Sequence, residues 1–102
     1  MKHLILAVRG DVQQEVADRL RGLEQIQGFT FTHVEGHGTH VEHDLFQSAR
    51  DRVVGYVPRI RVDILLEDID VEIVLTALRN ADNSLVGHGI YWVTSVEQHG
   101  RI

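Results

Sequence analysis

The chain contains no cysteine. That excludes a disulfide framework, a thiolate metal site and a thiol nucleophile, and it leaves the compartment open. Basic residues are scarce. Ten Lys+Arg stand against fifteen Asp+Glu, a formal net charge of -5 with the seven histidines neutral. Neutralising phosphates needs a positive surface, so DNA and RNA are not expected as partners. Long apolar runs are missing as well. Leu4 to Val8 is the longest strictly apolar run. It is too short for a membrane span or a signal-peptide core, so the expectation is a cytoplasmic protein that is not membrane-inserted. Gly-x-Ser-x-Gly and His-Glu-x-x-His arrangements are absent, and no carboxylates form a recognisable catalytic pair, so no enzyme is expected.

What remains is an ordinary globular composition. The chain has 102 residues, 43% hydrophobic and 25% charged, enough for one domain with one core (residues 1–102) and too few for a deep internal cleft. An interface between copies would supply the missing concavity.

Hydrophobic spacing gives the element order. His3 to Arg9 reads as a short buried strand. Asp11, with Gln14 three residues on, reads as a variant capping box. Val12, Val16, Leu20 and Leu23 then line one side of a helix over 12–25. Phe29 to Glu35 is rich in aromatic and β-branched residues, a strand with Phe29, Phe31, His33 and Glu35 on one face, and His37 following in the same phase. Residues 38–57 lack a firm pattern, and Leu45, Ala49 and Val53 give only a weak helical stripe. Pro58 fits the first position of a strand whose apolar side is Ile60, Val62, Ile64 and Leu66. Glu67 to Asp70 offer capping carboxylates for a second helix lined by Val71, Val74, Leu75 and Leu78. Gly87 and Gly89 flank His88 in a tight loop, and Ile90 to Val96 form a last strand. Of its Tyr91 and Trp92, one is expected in the core and the other at an interface.

The order is βαββαβ, the split-βαβ pattern of a ferredoxin-like α+β fold: an antiparallel sheet with two helices on one face and a long loop between strands 2 and 3. The other face would be open in a monomer, and an open apolar face of that size marks an interface. The long connection is expected to be mobile over 39–55.

Three stretches resemble the PII-like signal proteins: residues 28–38, running into Gly36-His37-Gly38; residues 53–64, with Pro58 before Arg59; and residues 87–97, followed by Arg101. The resemblance implies a homotrimer of ferredoxin-like subunits whose sheets face one another. It implies that residues 38–57 are the partner-contacting T-loop, and that ligands sit in clefts between subunits near Gly36, Gly38, Gly87, His88, Gly89 and Arg101. Adenine nucleotides are the family's common ligand there. The chain departs from the pattern where Ile90 replaces a phosphate-binding lysine and His88 an acidic residue. Thr39 stands where a basic residue is usual, and His40 replaces a glutamine. A triphosphate would lose charge-assisted hydrogen bonds by these changes. The endings are most similar to a divergent branch that accompanies heavy-metal efflux pumps.

His37, His40 and His43 form H-x-x-H-x-x-H, with Glu35, Glu42 and Asp44 close by. Imidazoles suit zinc, copper or nickel, and carboxylates can complete such a site. Solvated loop residues would give the same pattern. His33 is expected at an interface, and His3 and His99 at the surface. The leading expectation is a sensor or adaptor that binds a transition metal and signals to a membrane transporter or efflux pump. The alternative is an adenine-nucleotide-binding signal protein of the usual PII kind.

Overall fold

The computed structural model describes residues 1–37, 57–80 and 89–102. Strand β1 (Lys2–Arg9) leads through a 3-10 turn at Gly10–Val12 into helix α1 (Gln13–Arg21). Strands β2 (Thr30–Gly36) and β3 (Val57–Leu66), helix α2 (Asp70–Arg79) and strand β4 (Gly89–Ser95) follow. The strands pair antiparallel in the order β2-β3-β1-β4. This is the expected ferredoxin-like architecture. The loop expected to be mobile, 39–55, lies outside the described residues.

The register assigns each side chain to a face. Leu4, Leu6 and Val8 stand opposite Ile64, Val62 and Ile60, and in a pleated sheet directly opposed residues share a face. These six form one buried cluster with Val16 and Leu20 of α1 and Val71, Val74, Leu75 and Leu78 of α2. Phe31 and His33 oppose Val62 and Ile60, so the Phe side of β2 is the helix-covered side. Phe29 and Phe31 are partly buried against the core, their rings 5.3 Å apart. His33 shares that side but is exposed.

Local chemistry shifts the element ends. Helix α1 stops at Arg21 rather than near residue 25: the Gly22 N–H still bonds the Asp18 carbonyl, but the Leu23 N–H turns to the Leu20 carbonyl and the Ile26 N–H to the Leu23 carbonyl, three-residue bonds that tighten the chain and do not continue an α-helix. Leu23 still packs on the core from the turn that follows. The capping box does not form: Asp11 pairs with Arg9, and Gln14 donates to Asp18 at 2.9 Å. Glu67 to Asp70 do not cap α2 with side chains either. The Asp70 N–H bonds the Glu67 carbonyl, and the Asp68 carboxylate lies 2.8 Å from the Met1 amine. Asp70 and Glu72 still place negative charge at the positive end of the α2 dipole. Pro58 is the second residue of β3, one rung beyond the last β1 pair, Arg9 with Arg59. There its missing N–H takes nothing from the β1 ladder.

Neither aromatic residue of β4 enters the core. Tyr91 and Trp92 remain 46% and 41% exposed: Tyr91, opposite Leu6, lies on the helix side of an edge strand, whereas Trp92, opposite Ile5, lies on the face without helices.

Candidate functional site

The two glycine steps meet the described structure at one end of the sheet. Gly36 closes β2 opposite Val57, and Gly89 opens β4 opposite Val8. They nevertheless sit on opposite edge strands, with β3 and β1 between them. Three strand spacings, about 14 Å across the sheet, separate them, and Gly36 lies three residues further along than the rung of Gly89. Within one copy Gly36 and Gly89 therefore stand too far apart to line one small ligand together.

Each glycine also has a packing reason. A Cβ on Gly36 would run into the Nε, Cδ and Cγ of Arg59, whose side chain lies across this backbone. A Cβ on Gly89 would come 2.9 Å from Val8 Cγ1 and 3.2 Å from the Ala7 carbonyl oxygen. Gly89 is thus a strand residue pressed against β1, not part of a loop. Gly38, Gly87 and His88 lie outside the described residues, as do His40 and His43.

Of the three histidines read as metal ligands, His37 is described. It follows the last residue of β2, and its Nε2 lies 3.5 Å from Glu35 Oε2, both side chains 63% exposed. That distance is the outer limit of a hydrogen bond. His37 and Glu35 are the phase partners expected from period-two alternation, and both point away from the open sheet face. Among the described residues no cluster of three or more His, Cys, Asp or Glu is placed to hold a metal. Arg101 is exposed in the C-terminal stretch.

The open face holds a group that the sequence reading missed. His3, expected at the surface, places Nε2 2.7 Å from Asp63 Oδ1 and is only 28% exposed. Arg61 donates to the same carboxylate, from Nε at 3.3 and 3.2 Å and from its terminal nitrogen at 3.1 Å. The Arg61 hydrogen bonds hold the Asp63 carboxyl below its usual pKa, burial opposes this, and the contact with His3 adds to the lowering. The signal was available: Arg59, Arg61 and Asp63 alternate with the core residues of β3 and so must share the face away from the helices.

A second feature joins α2 to β4. The Arg79 guanidinium carbon lies 5.5 Å from the centre of the Tyr91 ring, within cation–π range. Among the described residues no helix is long and apolar enough to cross a membrane.

Known proteins resemble the chain over its whole length. The nitrogen regulatory protein P-II of Rhizobium meliloti (strain 1021) is 30% identical over 103 residues, covering 100% of this chain and 91% of that protein. The protein of the same name from Rhodospirillum rubrum is 26% identical over 103 residues, again covering 100% and 91%. The crystal structure of a DUF3240 family protein from Shewanella baltica OS155 superposes with a TM-score of 0.77 at 21% identity, over 99% of this chain and 94% of that one. It shares the fold. The family described as "Protein of unknown function (DUF3240)" matches residues 2–102. The chain belongs to that DUF3240 family and is a distant relative of the nitrogen regulatory PII proteins.

Proposed function

We propose that the protein is a non-enzymatic PII-like sensor and adaptor. It acts as a homotrimer that binds a small ligand in clefts between subunits and signals through the residues joining β2 to β3. The observation that carries this reading is the placement of the two glycine steps at one end of the sheet but on opposite edges. A site using both needs a second copy, whose β4 edge would lie beside the first copy's β2 edge. Support for assembly comes from β4 itself, which exposes Ile90, Tyr91, Trp92 and Val93 and carries no charge from Gly89 to Ser95. An uncharged apolar edge strand invites pairing with another chain.

The ligand we favour is a transition-metal ion, zinc, copper or nickel, held by His37 with His40 and His43. The partner we favour is a membrane transporter such as a metal-efflux pump. Ile90 supports the metal over a phosphate ligand: it stands one residue into β4, 65% exposed, where the family pattern has a lysine. The full-length similarity to nitrogen regulatory P-II proteins favours the second reading, an adenine nucleotide at the same clefts with Arg101 on its phosphates.

Calorimetry with Zn(II), Ni(II), Cu(I), ADP and ATP separates the two. Under the metal reading, the double substitution His37→Ala/His40→Ala abolishes metal binding and Arg101→Ala leaves it within about twofold. Binding also weakens as pH falls through the imidazole range, because protons compete for the ligand nitrogens. Tight ATP or ADP binding to metal-free protein, lost in Arg101→Ala, with no heat from any metal, would replace this reading with the nucleotide one.

A further inference from the structure

Helix α2 has apolar residues on two sides. Val71, Val74, Leu75 and Leu78 are buried in the core. At 3.6 residues per turn, Ile69 and Ile73 fall on the opposite side of the same helix. Ile69 already has helical geometry, with φ -70° and ψ -19°, so the two stand one turn apart in a single row. They are 81% and 45% exposed, and Thr76 beside them is exposed too. The outward side of a surface helix is ordinarily polar. Helix α1 follows that rule, its exposed positions being Gln14, Glu15, Asp18, Arg19 and Arg21.

Carboxylates frame the two isoleucines. Glu67, Asp68, Asp70 and Glu72 lie within three residues of Ile69 along the chain. No Lys or Arg occurs between Arg61 and Arg79, and the Arg79 guanidinium lies over the Tyr91 ring. Asp68 meets the Met1 amine at 2.8 Å, which leaves Glu67, Asp70 and Glu72 as the acidic frame. The helix dipole accounts for carboxylates in the first turn of α2 but not for the isoleucines between them. This corner also lies far from the glycine steps. Leu66, just before it, pairs with Lys2, and Lys2 with Ser95, so the ten residues of β3, about 30 Å, separate the two ends.

We propose that the outward side of α2 docks a basic amphipathic helix of a partner protein. Apolar residues of that helix cover Ile69 and Ile73, and its Lys or Arg side chains meet Glu67, Asp70 and Glu72. Charge decides the occupant. A second copy of α2 would bring like charges against this surface. A membrane surface or a nucleic acid would bring more negative charge. A basic helix with an apolar ridge matches both features: helix packing covers the isoleucines, and the carboxylates at the rim steer and orient it. The inference goes beyond the sensor reading above and needs neither its ligand nor residues 38–57.

The test uses the full chain and three labelled synthetic peptides of about 18 residues, five helical turns. One has Leu and Lys at amphipathic spacing, one has Glu in place of Lys, and one has the Leu–Lys composition scrambled. Fluorescence anisotropy should show saturable binding of the Leu–Lys peptide and none of the Leu–Glu peptide. Amide NMR shifts should move over residues 67–77 and not on β4. Ile69→Ser/Ile73→Ser, with unchanged far-UV circular dichroism, should weaken binding at least about tenfold. Glu67→Gln/Glu72→Gln should weaken it about threefold and flatten its salt dependence. Glu15→Gln/Asp18→Asn, which takes the same charge from α1, should stay within about twofold. No saturable binding of the Leu–Lys peptide overturns the proposal. Equal binding by Ile69→Ser/Ile73→Ser, equal loss in the α1 variant, or equal binding of the scrambled peptide reduces the attraction to bulk charge and overturns it as well. Shifts centred outside residues 67–77 do the same. A lower mass of the free protein on Ile69→Ser/Ile73→Ser would assign the surface to a second copy and overturn the partner helix. None of these outcomes bears on the ligand reading above.

Discussion

The two faces of the sheet are built by different rules. On the helix side, Leu4, Leu6, Val8, Ile60, Val62, Ile64 and Leu66 are each 5% exposed or less and belong to one cluster with both helices. On the other side Ile5 is equally buried, at 2%, yet stands outside that cluster. Its neighbours are an ion pair, an imidazole and half-exposed apolar groups. The helix side is finished within one chain, whereas the open side keeps its charges paired and its apolar groups uncovered, as a face meant for another surface would. The sheet edges repeat the contrast. Strand β2 carries His33 and Glu35 and packs Phe31 against the core, while β4 has no charge and leaves Ile90, Tyr91, Trp92 and Val93 exposed.

Truncating one isoleucine on each face puts the largest stress on this comparison. Ile64→Ala should cost about 3 kcal/mol in urea unfolding, the usual size of a buried truncation that leaves a cavity. Its cost should not depend on chain concentration. Ile5→Ala should cost about 1–2 kcal/mol in dilute solution, where water and neighbouring side chains can close over the gap. Its cost should rise with concentration as copies cover that face. Equal, concentration-independent losses would show that the open face is as complete as the helix face.

The helix face was legible in the sequence and the open face was not. Alternation in Ile60 to Leu66 and the four-four-three spacing of Val12 to Leu23 both report burial, and burial by covalently attached helices leaves a strong periodic signal. The boundaries drifted because caps are decided by local competition. Asp11 found Arg9, Asp68 found the Met1 amine, and the Leu23 N–H turned to the Leu20 carbonyl before the apolar stripe of α1 had run out. Tyr91 and Trp92 misled for a related reason: aromatic content marks a strand well but does not tell an edge strand from a central one. The His3–Asp63 contact joins residues sixty positions apart and depends on the register of β1 against β3, which periodicity cannot supply. Of the candidate site, Gly36, His37, Gly89 and Arg101 can be placed. What separates the glycine steps is the strand order β2-β3-β1-β4, a property of topology rather than of spacing.

A smaller effect is expected at Asp63. Asp63→Asn keeps the shape but loses the ionic hydrogen bonds to Arg61, and should cost about 1 kcal/mol near neutral pH. The sign with pH follows from the lowered pKa. The contribution is fully present above the carboxyl's unfolded value and is lost as pH falls through the lower folded value. The wild type and Asp63→Asn should therefore converge in stability as pH falls well below the ordinary aspartate value. Curves that stay parallel through the acid range would mean that Asp63 contributes only shape, and the open face would lose its distinction as an electrostatically organised surface.

The smallest expected effect tests whether the helix side has any polar tie of this kind to β4. Tyr91 faces the helix side yet stays 46% exposed, so packing contributes little there and the Arg79 cation over its ring is the main specific contact described. A half-exposed cation–π pair is worth about 0.5–1 kcal/mol. Arg79→Ala should lose about that much in urea unfolding. Arg79→Lys should keep part of it, since a point charge still meets the ring face but without the guanidinium's planar stacking. The attraction comes from the ring and not from the hydroxyl, so Tyr91→Phe should be close to neutral, while Tyr91→Leu should match Arg79→Ala. Because one pair is involved, the double change Arg79→Ala/Tyr91→Leu should cost no more than the larger single change. Additive losses would show that the two residues act separately and that the start of β4 is held by its pairing with β1.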